Sequence, residues 1–325
     1  MQNPALYPLL LDAALHVKVW GGRRLETVMH KTLPTGEPYG ESWEMHDTAR
    51  VANGALAGRT LGDLLAIYGA DLIGTISDPK EGIPLLVKIL DANDWLSVQV
   101  HPNDAQALKL EGEPRGKTEA WYVLAADDNA ELVIGVKPDA TADEIADAIR
   151  LNRFEEMLVY TPVEAGDVLY VEAGTIHALG PGVLVYEIQQ SSDTTYRLYD
   201  WGRMGLDGKP RALHIEKSLQ VARLGRLPSL SYIGAEMNPV VTVVEGRYFI
   251  TLLHQLHGTS ADLDTRGQVF DSLTCIEGEA EVEAGDQRVR FSLGQTVYIP
   301  AAVGKYTITG QAKILRSYQN ASAAG

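Results

Sequence analysis

Of the 325 residues, 43 are acidic and 28 basic, giving a net charge of −15 at neutral pH. Such a surface argues against nonspecific binding to nucleic acid or to an anionic membrane, so any anionic substrate must be held by a few local cations. A single cysteine, Cys275, excludes an internal disulfide and suits a reducing compartment; with no basic stretch at Met1-Gln2-Asn3-Pro4 and no apolar run of about 18 residues, the expectation is a soluble cytoplasmic protein.

Residues 1–57 read as short β-like runs broken by Gly and Pro, marked by Lys18-Val19-Trp20-Gly21-Gly22 and Gly40-Glu41-Ser42-Trp43-Glu44. Thr60 is placed to cap a helix whose Leu61, Leu64, Leu65 and Tyr68 share one face. Pro84–Leu90 is a nearly continuous apolar run, short and β-branched enough for a buried strand. It leads into Leu96-Ser97-Val98-Gln99-Val100-His101-Pro102, where Leu96, Val98 and Val100 alternate with Ser97, Gln99 and His101. Side chains two apart on a strand point the same way, so Gln99 and His101 lie side by side. The next strand candidate, Thr118–Val123, can place Glu119 on that side.

From Thr141 the pattern turns helical, with capping-box spacing to Glu144 and Ile145, Ala148, Ile149 and Leu151–Phe154 on helical periods. Strands are expected at Leu158–Pro162, Val168–Glu172, Val183–Gln190 and Thr194–Tyr199, and a helix from His214 to Arg223. The Val168 strand ends in a glycine turn that leads to His177. Arg226–Gly234 reads as a linker, and from Pro239 the chain is strand and turn until a frayed tail at Asn320–Gly325. Within that second part, Gly294–Lys305 echoes Gly166–His177 in form, with Lys305 where the first copy has His177. The strands before it, Asp271–Ile276 and Ala280–Glu283, carry no histidine, and the spacing of His254 and His257 does not suit one strand face. Two β-sandwich or barrel modules are expected, of which the first keeps a metal site.

Amide oxygen, imidazole, carboxylate, imidazole: Gln99, His101, Glu119 and His177 together form a metal-ligand set, although each alone would pass for ordinary structure. Nitrogen and carboxylate oxygen suit Zn²⁺, Fe²⁺ or Mn²⁺ alike. Zinc is favoured because nothing here asks for redox chemistry, and a neutral Gln99 leaves the ion Lewis-acidic. Lys117 precedes Glu119 by two residues and shares its face. Glu187 and Arg197 flank the polar stretch Gln189–Thr195, and Arg203, Lys209 and Arg211 follow. In so acidic a chain these cations suggest a small phosphorylated ligand; Lys209 and Arg211 read equally well as a solvated turn.

The segments Leu96–Pro102, Gly116-Lys117-Thr118-Glu119 and Gly174-Thr175-Ile176-His177-Ala178-Leu179 resemble the zinc-binding segments of type I phosphomannose isomerases. Gln190-Ser191-Ser192-Asp193-Thr194-Thr195-Tyr196-Arg197 resembles the one that carries that family's active-site arginine. The match runs from Trp20-Gly21-Gly22 and Glu41-Ser42-Trp43-Glu44 into the second module, in the length of the short bacterial form. One departure is Glu172, which stands where a proline is usual before the Ala-Gly turn. The resemblance implies a mainly β fold of two cupin-like β-barrel (jelly-roll) modules, with a few helices inserted in and after the first. Residues 1–235 would be catalytic, and residues 236–325 a degenerate module without a metal site.

It further implies a single Zn²⁺ on Gln99, His101, Glu119 and His177, with Arg197 as the active-site arginine. The reaction would interconvert mannose 6-phosphate and fructose 6-phosphate through an enediol, in a monomer or weak homo-oligomer. Glu187 and Lys117 are the candidates for the proton shuttle; a lysine beside a cation would have its pKa lowered and could act as base, or it could bind phosphate. Two rivals remain: an Fe²⁺-dependent cupin dioxygenase, which would more naturally show a second histidine at position 99, and a non-catalytic sugar-binding cupin.

Overall fold

The computed structural model describes residues 3–234 and 238–321. The expected module boundary at 235/236 and most of the expected frayed tail (322–325) lie outside the described residues. The N-terminal strands are β1 (Leu9–Asp12), β2 (Ala14–Gly22), β3 (Tyr39–Met45) and β4 (Arg50–Val51). Next come β5 (Leu85–Ala92), β6 (Val98–Val100), β7 (Glu119–Ala126), β8 (Glu131–Val136), β9 (Leu158–Pro162), β10 (Asp167–Val171), β11 (His177–Leu179), β12 (Val183–Gln190), β13 (Tyr196–Tyr199) and β14 (Leu230–Tyr232). The last six are β15 (Val240–Glu245), β16 (Phe249–Asp264), β17 (Asp271–Ala284), β18 (Gln287–Ser292), β19 (Thr296–Ile299) and β20 (Lys305–Gln319).

The chain is mainly β, and its strand pairings are antiparallel. A seven-stranded sheet in the order β14-β10-β7-β12-β5-β3-β2 faces a five-stranded sheet in the order β13-β6-β11-β8-β9. Between them Trp121, Val123, Leu169 and Val185 from the first sheet meet Leu132, Ile134 and Leu179 from the second. Each such side chain contributes about 1.5–3 kcal/mol relative to exposure. β5 and β12 are buried along their whole length, as expected for central strands whose two faces are both covered.

The third sheet has eight strands, in the order β15-β16-β20-β17-β19-β1-β4 with β18 on β17; its end strands β15 and β4 do not pair, so it does not close into a barrel. Its long strands shift register at His257/Thr259 and Cys275/Glu277. Those bulges bend the sheet around Leu273, Phe291, Val297, Ile308 and Ile314. One strand, β17, therefore runs where the sequence suggested two. Gly278 sits at the bend with φ +74°, and a Cβ there would lie 1.9 Å from the Gln311 carbonyl oxygen. The N-terminal region divides between the sheets: β1 pairs with β19 (Leu9 opposite Tyr298) and with β4, while β2 and β3 join the seven-stranded sheet. A shared core of Leu9, Leu61, Val87, Tyr186, Phe249 and Tyr298 ties the two parts together.

The helix Leu61–Tyr68 forms as read, with Thr60 and Asp63 in a reciprocal capping box and Leu61, Leu64 and Leu65 buried. Helix Ala142–Arg150 likewise starts at a Thr141–Glu144 box but stops earlier than its pattern suggested. Asn152 takes φ +54°, which breaks the helix, exposes Leu151 and lets a 3₁₀ turn carry Phe154 into the core. The helix at 214–223 is shorter too, Ile215–Val221. The expected linker is in part a strand: β14 pairs with β10 and gives the edge of the seven-stranded sheet its backbone partners. Among the described residues, no helix is long and apolar enough to cross a membrane.

Candidate active site

The site gathers on the strand ends of the two facing sheets. In the five-stranded sheet, Gln99 of β6 has His177 of β11 opposite it on one side and Arg197 of β13 on the other. His101 follows β6 immediately, and its carbonyl accepts the Gly174 N–H at 2.8 Å, which pins the turn that delivers His177. Glu119 opens β7 opposite Val171 of β10 and Gln189 of β12. Strand pairing alone thus converges residues from distant parts of the chain.

His101, Glu119 and His177 are buried, and each offers a ligand atom within 4.8 Å of the others. His101 Nδ1 donates to the Thr194 carbonyl at 3.0 Å, and His177 Nδ1 donates to the Thr175 carbonyl at 2.8 Å, in the tautomers these acceptors require. Both rings therefore turn an Nε2 lone pair inward. His177 Nε2 stands 3.2 Å from Glu119 Oε1, and His101 Nε2 stands 3.6 Å from Oε2. The His101 Nε2 and both Glu119 oxygens have no hydrogen-bond partner, although Lys117 Nζ lies 2.7 Å from Oε2 without the alignment of one. Lone pairs facing lone pairs in a dry site are costly, and a cation among them removes the cost.

Burial and the Lys117 charge hold His101 well below its ordinary value, so the ring is neutral. Burial opposes the Glu119 charge, but Lys117 holds that carboxyl well below the usual range. A neutral His101 and an ionised Glu119 are the protonation states a divalent metal needs of these two ligands. The Gln99 amide nitrogen lies 3.4 Å from His177 Nε2; turning the amide over would present its oxygen to the same centre.

Gln99 also lines a cavity of about 440 Å³ with Lys117, Glu187 and Arg197. Most cations there have a carboxylate of their own: Lys18 has Glu41 at 3.0 Å, Lys88 has Glu187 at 3.2 Å, and Arg211 has Asp200. Arg197 is different. Its Nη1 donates to the Ala212 carbonyl at 2.9 Å, its buried Nε has no partner, and among the described residues it makes no ion pair. Burial and the nearby Arg211 pull Arg197 below its ordinary value, so a bound anion would be strongly favoured. Trp20, Trp43 and Trp121 supply apolar walls.

For Lys117, burial lowers the pKa, but Glu119, Glu187 and Glu41 outweigh that and raise it above the ordinary value. The trailing cations also separate: Arg211 lines the cavity, Arg203 is tied to Asp200 and Asp94 away from it, and Lys209 is exposed. Glu172, at the position of the missing proline, pairs with Arg223 at 2.8 Å. Sequence reading missed Lys88, Lys18, Glu41 and Trp43 as lining residues. The signal for Lys88 was present: a lysine inside an otherwise apolar buried strand must find a counter-charge.

Fold and site together define a β-scaffold protein with a candidate metal centre beside a cation-lined cavity. Residues 9–143 match the family model described as phosphomannose isomerase type I, catalytic domain, and residues 240–319 match mannose-6-phosphate isomerase, cupin domain. The chain is 36% identical to the mannose-6-phosphate isomerase of Streptococcus mutans over 96% of this chain and 98% of that protein. It is 35% identical to mannose-6-phosphate isomerase ManA of Bacillus subtilis, over 96% and 98%. A crystal structure of the Bacillus subtilis mannose 6-phosphate isomerase superposes with TM-score 0.86 at 31% identity, covering 95% of this chain and 99% of that one. The chain belongs to the type I phosphomannose isomerase family.

Proposed function

We propose that the chain interconverts mannose 6-phosphate and fructose 6-phosphate, with Zn²⁺ held by Gln99, His101, Glu119 and His177. The observation that carries this reading is the inward-facing set of His101, Glu119 and His177, with His101 Nε2 and both Glu119 oxygens lacking hydrogen-bond partners, beside an arginine that makes no ion pair among the described residues. The relatives' names supply the substrate. They do not favour the dioxygenase or the non-catalytic sugar-binding alternative.

The reaction opens the sugar ring, takes a proton from the carbon next to a carbonyl and returns it to the neighbouring carbon. When bound, the metal supplies Lewis acidity that polarises the substrate's carbonyl. Glu187 is the group we assign to proton transfer: it lines the cavity, Trp121 Nε1 fixes its Oε2 at 2.9 Å, and its Oε1 accepts no hydrogen bond. Lys88, 3.2 Å from its Oε1, holds that carboxylate in position. Lys117, in direct contact with Glu119, braces the ligand carboxylate. Arg197, opposite Gln99 in the sheet, meets the negative charge that develops on the enediolate. Arg211, braced by Asp200, takes the phosphate. Residues 236–325 act as a module without metal, and the protein works in the cytoplasm as a monomer or weak homo-oligomer.

Elemental analysis of purified protein should find zinc, and a coupled assay should detect fructose 6-phosphate from mannose 6-phosphate. His101→Ala and His177→Ala should each lose both the metal and turnover. Full activity in either variant would refute the ligand assignment.

A further inference from the structure

The two modules repeat each other in strand register, and the repeat reaches the site. Gly166, Val171 and His177 lie in the first copy where Gly294, Ile299 and Lys305 lie in the second. In the first copy, Val171 of β10 pairs with Glu119 at the start of β7; in the second, Ile299 of β19 pairs with Asp271 at the start of β17. Two residues along β7, Trp121 pairs with Glu187 of β12; two residues along β17, Leu273 pairs with Arg316 of β20. Asp271 thus occupies the place of Glu119, Arg316 that of Glu187, and Lys305 that of His177.

The carboxylate is kept, and the place of Glu187 now carries a cation, Arg316. Asp271 is fully buried, and its Oδ1 accepts from Arg316 Nε at 2.7 Å while its Oδ2 accepts from Tyr306 OH at 2.6 Å. The Arg316 guanidinium, whose side chain is 11% exposed, also lies 4.6 Å over the Tyr318 ring. Its Nε and one face are therefore held and Tyr306 OH lies against the guanidinium, while the remaining edge has no carboxylate partner among the described residues. That edge borders a cavity of about 910 Å³, which Lys305 and Arg266 also line. Among the described residues neither of those two makes an ion pair. The carboxylates around the cavity are in part engaged: Asp262 accepts from Thr307 Oγ1 at 2.7 Å, Asp264 from the Arg266 N–H at 2.8 Å, and Glu283 pairs with Arg288 at 3.0 Å.

A guanidinium held in place by Asp271, with two cations beside it that make no ion pair among the described residues, is chemistry that recognises phosphate, and Asp262, Thr307 and Gln268 offer partners for hydroxyl groups. We propose that the C-terminal module holds a second, metal-independent site for a small phosphorylated polyol or sugar, anchored on Arg316 with Lys305 and Arg266. The site is separate from the isomerase cavity and does not depend on that activity.

The test uses the full chain with selectively labelled isoleucine methyls and sorbitol 6-phosphate, a polyol phosphate without a carbonyl. Ile76 and Ile250 line the C-terminal cavity and report on it locally. Their resonances should shift saturably on titration. Arg316→Lys keeps a cation against Asp271 but removes the fork, and should weaken the apparent affinity at least tenfold; the double variant Lys305→Ala, Arg266→Ala should do the same. The shifts should persist in Arg197→Ala. Absence of shifts, unchanged affinity in both variants, or loss of the shifts in Arg197→Ala would each overturn the proposal.

Discussion

Replacing Lys88 by Met tests the cavity's energetics and its chemistry separately. Lys88 and Glu187 face each other at 3.2 Å, with side chains only 8% and 3% exposed. Removing one partner of a buried pair leaves the other charge uncompensated, which costs about 3–5 kcal/mol. Trp121 still donates to Glu187 Oε2 in the variant, so the lower end of that range, about 3 kcal/mol, is expected. The melting temperature should then fall by roughly 5 °C or more, measured with metal in excess so that site occupancy does not vary. Lys88→Met, Glu187→Gln removes both charges and should regain most of the lost stability. It should regain no activity, because the proton-transfer carboxylate is gone. Single-variant stability equal to the parent would show that the pair is not dry, and a double variant that turns over would remove Glu187 from proton transfer.

Arg197→Ala should keep its metal, by elemental analysis, while kcat falls roughly 10²–10³-fold, the usual cost of deleting one group that stabilises a developing oxyanion; an unchanged rate would exclude it from the reaction. His254 predicts a pH effect on stability. Burial, assisted by Arg316, pulls it from 6.5 to about 4, so between these values the unfolded chain binds a proton that the folded chain refuses. Its stabilising contribution is complete above pH 6.5 and is lost as pH falls to about 4, a change of about 3 kcal/mol. In urea titrations across that window, His254→Met should be less acid-sensitive than the parent by that amount; identical pH profiles would refute it.

What could be read from sequence followed the range of the physics involved. Alternation along Leu96–His101 placed Gln99 and His101 on one face because side-chain direction on a strand repeats every second residue. Thr60 and Thr141 announced their helices because a cap bonds within the next few residues. Lys88 hid inside an apolar run, since its counter-charge Glu187 lies almost a hundred positions away. β14 looked like a linker because three residues show little pattern until a sheet edge receives them. Leu9–Asp12 carries no mark of the distant strand it pairs with.

By itself the sequence determined the donor types, their faces and the family they resemble, because local periodicity and turn chemistry encode these. The tertiary structure alone decided that Thr194 and Thr175 orient the imidazoles, that Arg197 has no carboxylate partner among the described residues while its neighbours have one, and that Asp271 repeats Glu119. Those facts depend on cross-strand register between segments far apart in the chain, and register is settled only when the sheets pack around a common core.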